Sequence, residues 1–413
     1  MNRRHFLSHL AATTSIASAS SSFTNSILAN AADIKKRHKS VILLWMGGGP
    51  STIDLWDLKP GAATGGPFKP IETSADGVQI CEHLPLLSKQ MHNLSIVRSM
   101  STREADHMRG RYYMHTGFVP STDIEHPSYG SVISHELLPL INELEIPAFV
   151  SVGGSSIGAG YLGATYAPFV VDSNGNIRDL NNSIDPQRMN DRLQMLSVIE
   201  NQFMSQRKGV ASDHQKIINK TVQLMTSKQM DAFKVAKESA EVREKYGNTG
   251  FARGCLMARR LVEIGVPFIE VDLGGWDNHA NIFTTLQNQK LPEMDKAMSA
   301  LISDLSDRGL LEDTAIVWMG EFGRTPNING NAGRDHWARS WSVVVGGAGF
   351  KGGIVVGETS SDGKEVVSEP YTSQDLMASV LKSVGISLET TFTAKNGRPM
   401  KIANAGRVIK ELF

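Results

Sequence analysis

The chain has 413 residues, 41% hydrophobic and 20% charged, enough for a sizeable core and unlike a disordered or collagen-like composition. Lys plus Arg and Asp plus Glu both number 42, so the net charge is zero. No basic excess points to a nucleic-acid partner, which would need phosphate neutralisation. The two cysteines, Cys81 and Cys255, exclude a disulfide scaffold and are expected in the core.

The first residues read as targeting rather than fold. Arg3-Arg4-His5-Phe6-Leu7 places paired arginines before an apolar pair, a soft apolar run extends from Leu10 to Ile27, and Ala29-Asn30-Ala31 offers a small-x-small cleavage site. Together they predict a twin-arginine signal over 1–31, with the translocase as partner during export and a periplasmic or secreted product. The run is too polar and too short for a membrane span. No later stretch of about 20 apolar residues follows, so no stable span is expected.

From residue 32 to 413 the pattern predicts a single layered α/β domain. Short apolar runs at Ser40–Met46, Leu94–Val97, Ala148–Val152, Phe268–Val271, Ala315–Met319 and Ser342–Val345 lack polar alternation. Such runs suit strands covered on both faces, as in a mostly parallel central sheet flanked by helices. Leu291, Met294, Met298, Leu301, Ile302 and Leu305 recur at helical spacing, and Gly309 follows as a stop. The stretch of about 181–245, rich in Gln, Lys, Met and Asp, predicts a helical insert, either a cap over the site or a packing layer. In open parallel sheets, sites gather beyond the carboxyl ends of strands, so the residues after each run carry the chemistry.

After the first run comes Gly47-Gly48-Gly49-Pro50-Ser51-Thr52-Ile53-Asp54-Leu55-Trp56-Asp57. Asp54 is a candidate metal carboxylate; the plainer reading is a glycine turn leading to a capped helix. After the second run, Ser101, Thr102, Arg103, Asp106, His107 and Arg109 crowd one loop. A hydroxyl there could be a nucleophile once its pKa is lowered, and arginine suits an oxyanion. After the fourth run, Gly274-Gly275-Trp276-Asp277-Asn278-His279 brings Asp and His two residues apart, ligand types that a zinc-like cation accepts. After the fifth, Gly320-Glu321-Phe322-Gly323-Arg324 and Gly333-Arg334-Asp335-His336 add further acids and a histidine. No G-x-S-x-G elbow supports metal-free serine catalysis, and no P-loop is present.

The stretch from Leu291 to Pro326 resembles the approach to the Asp-His-Gly motif of the alkaline phosphatase and sulfatase superfamily. "WDNH" falls where that superfamily keeps a metal pair, and "GRDHW" where its last metal histidine lies. "GGGPSTIDLWDLKP", "GGWDNH", "GEFGRTP" and "GRDHW" together are similar to an exported family known as domain of unknown function 1501, over nearly the whole mature chain. The resemblance implies an alkaline phosphatase-like layered fold and puts the nucleophile near Ser101 or Thr102. Glu321-Phe322 stands where Asp-His is usual, and Asp277-x-His279 is shorter than the usual pair.

The expectation is therefore a periplasmic metal-dependent hydrolase of phosphate or sulfate esters. The alternative is an exported metal-binding or assembly protein that kept the fold without catalysis. One divalent ion, zinc before manganese, magnesium or calcium, is expected on Asp277, His279 and His336. Glu321, Asp335 and Asp54 would ligate or orient a second ion or a water. Thr102 or Ser101 would be the nucleophile, and Arg103 or Arg324 would hold the oxyanion of an anionic ester.

Overall fold

A computed structural model describes residues 38–177, a few positions between 185 and 196, and 223–413. All six apolar runs form strands. Numbered along the chain, the central sheet comprises β1 (Ser40–Trp45), β2 (Leu94–Met100), β3 (Phe149–Val152), β4 (Phe169–Val171), β5 (Phe268–Asp272), β6 (Thr314–Met319), β7 (Trp341–Gly346) and β8 (Val355–Val356). Their spatial order is β8-β2-β7-β6-β1-β5-β3-β4. All but β7 run in one direction; β7 is antiparallel to both β2 and β6. The apolar run at Ser342–Val345 reports coverage on both faces, which an interior antiparallel strand also has, so its direction was not written in its composition. The edge strands β4 and β8 are too short to show a period.

Helices cover both faces. They are α1 (His107–Thr116), α2 (Tyr129–Leu137), α3 (Ala240–Tyr246), α4 (Gly250–Glu263), α5 (Leu291–Asp307) and α6 (Ser373–Ser383). Alternation along each strand divides the core in two. Ile42, Leu44, Ile269, Val271, Ile316 and Trp318 pack with α4 and α5 on one face. Val41, Leu43, Trp45, Phe268, Val317 and Met319 pack with α2 and α6 on the other. At roughly 1.5–3 kcal/mol for each fully buried large side chain, these two layers supply most of the driving force. Local signals agree. Asp106, Ser128 and Thr249 cap α1, α2 and α4, Thr372 and Asp375 form a capping box at α6, and Pro292 opens α5. Cys81 and Cys255 are both free and buried.

Most of the expected insert, and the whole expected leader, lie outside the described residues. The described end of the insert buries Leu224, Phe233 and Val235 in the α4/α5 layer. It is pinned there by Glu238, 3.0 Å from the buried guanidinium of Arg259, which also lies 3.0 Å from Asp304 and 2.8 Å from Glu263. No helix among the described residues is long and apolar enough to cross a membrane.

Candidate metal centre

The loops after β1, β2, β5 and β6 meet at the carboxyl edge of the sheet. The glycine turn after β1 is what lets them close up. Gly48 has φ +112°, and a Cβ there would lie 2.6 Å from the Asp277 amide nitrogen; a Cβ on Gly49, φ +70°, would meet the Phe322 ring at 2.8 Å. Only glycine combines that backbone region with no side chain. Gly110 in α1 likewise lets the helix approach Phe322, where a Cβ would sit at 3.1 Å.

Three imidazoles surround the Asp277 carboxylate. Nε2 of His279 lies 2.9 Å from Asp277 Oδ1, and Nε2 of His107 and of His336 each lie 3.3 Å from it. Ligand atoms of His107, Asp277 and His336 fall within 4.8 Å of one another, and His279 Nε2 is 3.2 Å from His336 Nε2. Each ring is held from behind. His107 Nδ1 donates to Glu321 Oε1 at 2.6 Å, His279 Nδ1 to Asp335 Oδ1 at 2.6 Å, and His336 Nδ1 to the Ala105 carbonyl at 2.8 Å. A carboxylate or carbonyl can only accept, so the proton of each neutral ring sits on Nδ1. Each Nε2 then presents a lone pair toward a carboxylate oxygen, acceptor against acceptor. That is the arrangement of metal-binding histidines, whose outer nitrogens are pinned by carboxylates or carbonyls. The residues present thus fit a divalent cation.

The electrostatics follow the same geometry. Burial pushes the Asp277 carboxyl up, but the hydrogen bond and charge of Arg324, with His107 and His279, bring it down to about 2. The hydrogen bond it donates to Glu321 raises His107 above the usual imidazole value, against its burial. The hydrogen bond from His279 lowers Asp335. Phe322 closes one side, its ring centroid 5.0 Å from His107 and 4.9 Å from His336.

Asp277, His279 and His336, expected on one ion, are brought together. His107, which the sequence placed in a crowded loop without a metal role, joins them from the first turn of α1. Its signal was the stripe His107–Arg111–His115, one residue per helical turn on one face of α1. Glu321 and Asp335 orient the histidines: Glu321 Oε1 also accepts from the Gly48 amide at 2.9 Å, while its Oε2 is buried without a partner. Asp54 stands apart. Both its oxygens accept from Arg334 at 2.8 Å, and Ser51 donates to it at 2.6 Å. Its carboxylate is spent on a buried clamp, which corrects the expected role as ligand.

Arg324 does not have the free guanidinium expected of an oxyanion holder. Its donors reach Gly49 O at 2.7 Å, Gly48 O, Asp277 Oδ1 at 2.6 Å, Arg334 O at 3.3 Å and His279 Nε2 at 3.5 Å. All five N–H groups are used. Arg103 is exposed. Ser101 and Thr102 lie in the loop before α1, their amides bonded to Tyr371 and Ala338 carbonyls. The Thr102 hydroxyl is buried without a partner, and neither hydroxyl is hydrogen-bonded to the cluster.

A three-layer α/β domain with a histidine–carboxylate centre at its sheet edge is the class that fold and site define. The chain belongs to the family described as protein of unknown function DUF1501, whose pattern matches residues 38–413. No curated protein matches the sequence. Similar solved structures include the PsFucS1 sulfatase from a Pseudoalteromonas species, 14% identical, covering 87% of this chain and 70% of that one at a TM-score of 0.41. A protein in the alkaline phosphatase superfamily from Vibrio parahaemolyticus is 13% identical, covering 91% of this chain and 70% of its own at 0.41. A mutant of TAB5 alkaline phosphatase with Mg bound in its M3 site is 12% identical, covering 85% of this chain and 99% of its own at 0.38.

Proposed function

We propose that the protein is a periplasmic or secreted metal-dependent hydrolase of phosphate or sulfate esters, exported by the twin-arginine route. The observation that carries the metal is the convergence of three Nε2 lone pairs on Asp277 Oδ1, each ring fixed by a bond at Nδ1. Nothing but a cation or a shared proton relieves that arrangement, and Arg324 reaches it from one side only. Asp277, His107, His279 and His336 are the residues that would hold the ion. Imidazole and carboxylate donors suit zinc first, with manganese, magnesium and calcium as the alternatives. When bound, the cation supplies Lewis acidity at an ester oxygen and acidifies water.

The chain's own residues do the rest. Glu321, Asp335 and the Ala105 carbonyl keep the rings aligned. Arg324 ties the glycine turn, Asp277 and the Arg334 loop into one rigid frame. Phe322 keeps water from one flank. Among the described residues no Ser or Thr hydroxyl bonds into the cluster, so water is the nucleophile in this reading. The same observation favours the second reading, an exported metal-binding protein without catalysis.

The two separate in one experiment. Protein exchanged into zinc, manganese, magnesium or calcium is offered 4-nitrophenyl phosphate and sulfate. Hydrolysis that disappears with chelator and in Asp277→Asn supports the hydrolase; tight metal binding with no turnover of either ester supports the second reading. Export is tested by replacing Arg3 and Arg4 with lysine, which should leave uncleaved precursor in the cytoplasm; efficient export of that variant by the same route contradicts the leader.

A further inference from the structure

A cleft lies at the far end of α1 from His107. α1 has 10 residues, so its two ends stand about 15 Å apart. The cleft has a volume of about 450 Å³, within the size range of small-ligand pockets. Phe118, Ile124 and His126 line it from the segment after α1. Arg398, Lys401 and Asn404 line it from a hairpin, Thr391–Thr393 paired with Pro399–Lys401, and the turn beyond. The two sides are tied together at the helix end. The Gly117 carbonyl accepts from Asn404 Nδ2 at 3.0 Å and from Gln374 Nε2 at 2.9 Å. Those donors also satisfy a terminal carbonyl whose dipole would otherwise oppose an anion.

His126 is 5% exposed, and its ring stacks on Phe118, with centroids 3.9 Å apart and planes inclined by 8°. Tyr112 fixes its tautomer. The Tyr112 hydroxyl accepts from the His126 amide at 2.8 Å and lies 3.0 Å from Nδ1. Among the described residues that hydroxyl has no other acceptor, so its hydrogen goes to Nδ1. Nδ1 is therefore the lone pair, and Nε2 carries the ring proton. No described hydrogen bond engages Nε2. Burial and the Arg398 charge lower the imidazole below its usual value, which keeps the ring neutral and this tautomer in place.

The charges beside it are uncompensated. Arg398 is exposed, and no described carboxylate pairs with its guanidinium. Lys401 reaches Glu389 at 3.5 Å, a surface pair with side chains 57% and 86% exposed, too open to hold the ammonium firmly. Among the described residues no carboxylate lines the cleft. Asp123 and Glu125 line a separate, smaller cavity with Lys395 and Tyr161. A merely solvated basic face needs no buried N–H donor of fixed tautomer beside it.

We propose that this cleft is a binding site for an oxyanion, a phosphate or sulfate group, held by Arg398, Lys401 and the His126 Nε2–H. The guanidinium fork matches two oxygens of such a group, the ammonium adds charge, and the imidazole gives a third, directed donor. Phe118 and Ile124 offer apolar surface to whatever carries the anion. The site is independent of turnover at the metal centre.

The test is a titration of the full chain, with histidine labelled by nitrogen-15, against inorganic phosphate, inorganic sulfate, glucose 6-phosphate and neutral glucose. The His126 Nε2–H signal should shift with the anions and not with glucose. It is local to the cleft, so an anion at the metal centre does not imitate it. Arg398→Ala and Lys401→Ala, both at exposed positions, should fold as wild type and keep its metal content. Arg398→Ala should weaken binding by ~10-fold or more, the loss of one charge-assisted hydrogen-bond partner, and Lys401→Ala should weaken it less. Tighter binding of glucose 6-phosphate than of phosphate would assign the site to an esterified anion, and equal binding to the free one. A His126 signal that no anion moves, an equal response to glucose, or an Arg398→Ala protein that binds as well as wild type would overturn the proposal.

Discussion

Two Asp–Arg pairs sit in the same set of loops and do opposite work. Asp54 and Arg334 are sealed, with side-chain exposures of 1% and 0%. Every donor of that guanidinium is used, on Asp54, Thr64, Thr325 and Pro326, so the pair locks the β1 loop to the loop before His336. Asp277 and Arg324 differ on one side only: Arg324 is fully buried, but the Asp277 side chain is 46% exposed and faces three imidazoles besides. A sequence motif lists acids and bases alike; what separates scaffold from site is whether lone pairs remain after the protein has taken its share.

The largest effect should come from breaking the sealed pair. Asp54→Asn leaves a buried guanidinium without its counter-charge, which costs about 3–5 kcal/mol. Urea unfolding should show that loss, while the metal affinity of the folded fraction stays close to wild type. An equal loss of metal affinity would mean that the clamp and the centre are one unit.

Glu321→Gln sharpens the other side. It keeps the shape but replaces an ionic acceptor behind His107, and loss of such a partner lowers metal affinity by about 10–100-fold. Asp335→Asn should act the same way through His279. Competition with a chromogenic chelator reads both.

A third prediction uses the charged network far from the sheet edge. Burial raises the Asp304 carboxyl, but its bond to Arg308 and the Arg259 charge outweigh that and hold it low; Glu238 is held low against burial by Arg259 and Arg260. Groups lowered in the folded state stabilise it fully above their unfolded values. That stabilisation is lost as pH falls from about 4 through the lowered values. Tm should therefore drop in that acid range, and drop less steeply in Asp304→Asn. Equal slopes would show that the network does not titrate with folding.

Arg103→Ala should be the smallest change, within about 0.5 kcal/mol, because the side chain is exposed and holds no buried partner.

The fold was legible where chemistry repeats along the chain. Six apolar runs gave six strands, and the spacing from Leu291 to Leu305 gave α5. β7's direction was not legible, because two-sided burial looks the same either way. The site was legible where ligand types lie close in sequence, as at Asp277 and His279. His107 was harder: it meets Glu321 across 214 residues, and only the sheet topology brings their loops together. Asp54 misled for the converse reason. An acid after a glycine turn looks the same whether it faces a cation from solution or Arg334, which lies 280 residues on.

The most direct measurement is bound metal per chain. Wild type reconstituted with zinc, manganese, magnesium or calcium is dialysed and analysed by mass spectrometry beside His107→Ala, His279→Ala, His336→Ala and Asp277→Asn. Near-stoichiometric binding of at least one ion, weakened in each variant, is the predicted result; wild type that retains none of the four, or variants that retain as much as wild type, would contradict the metal centre.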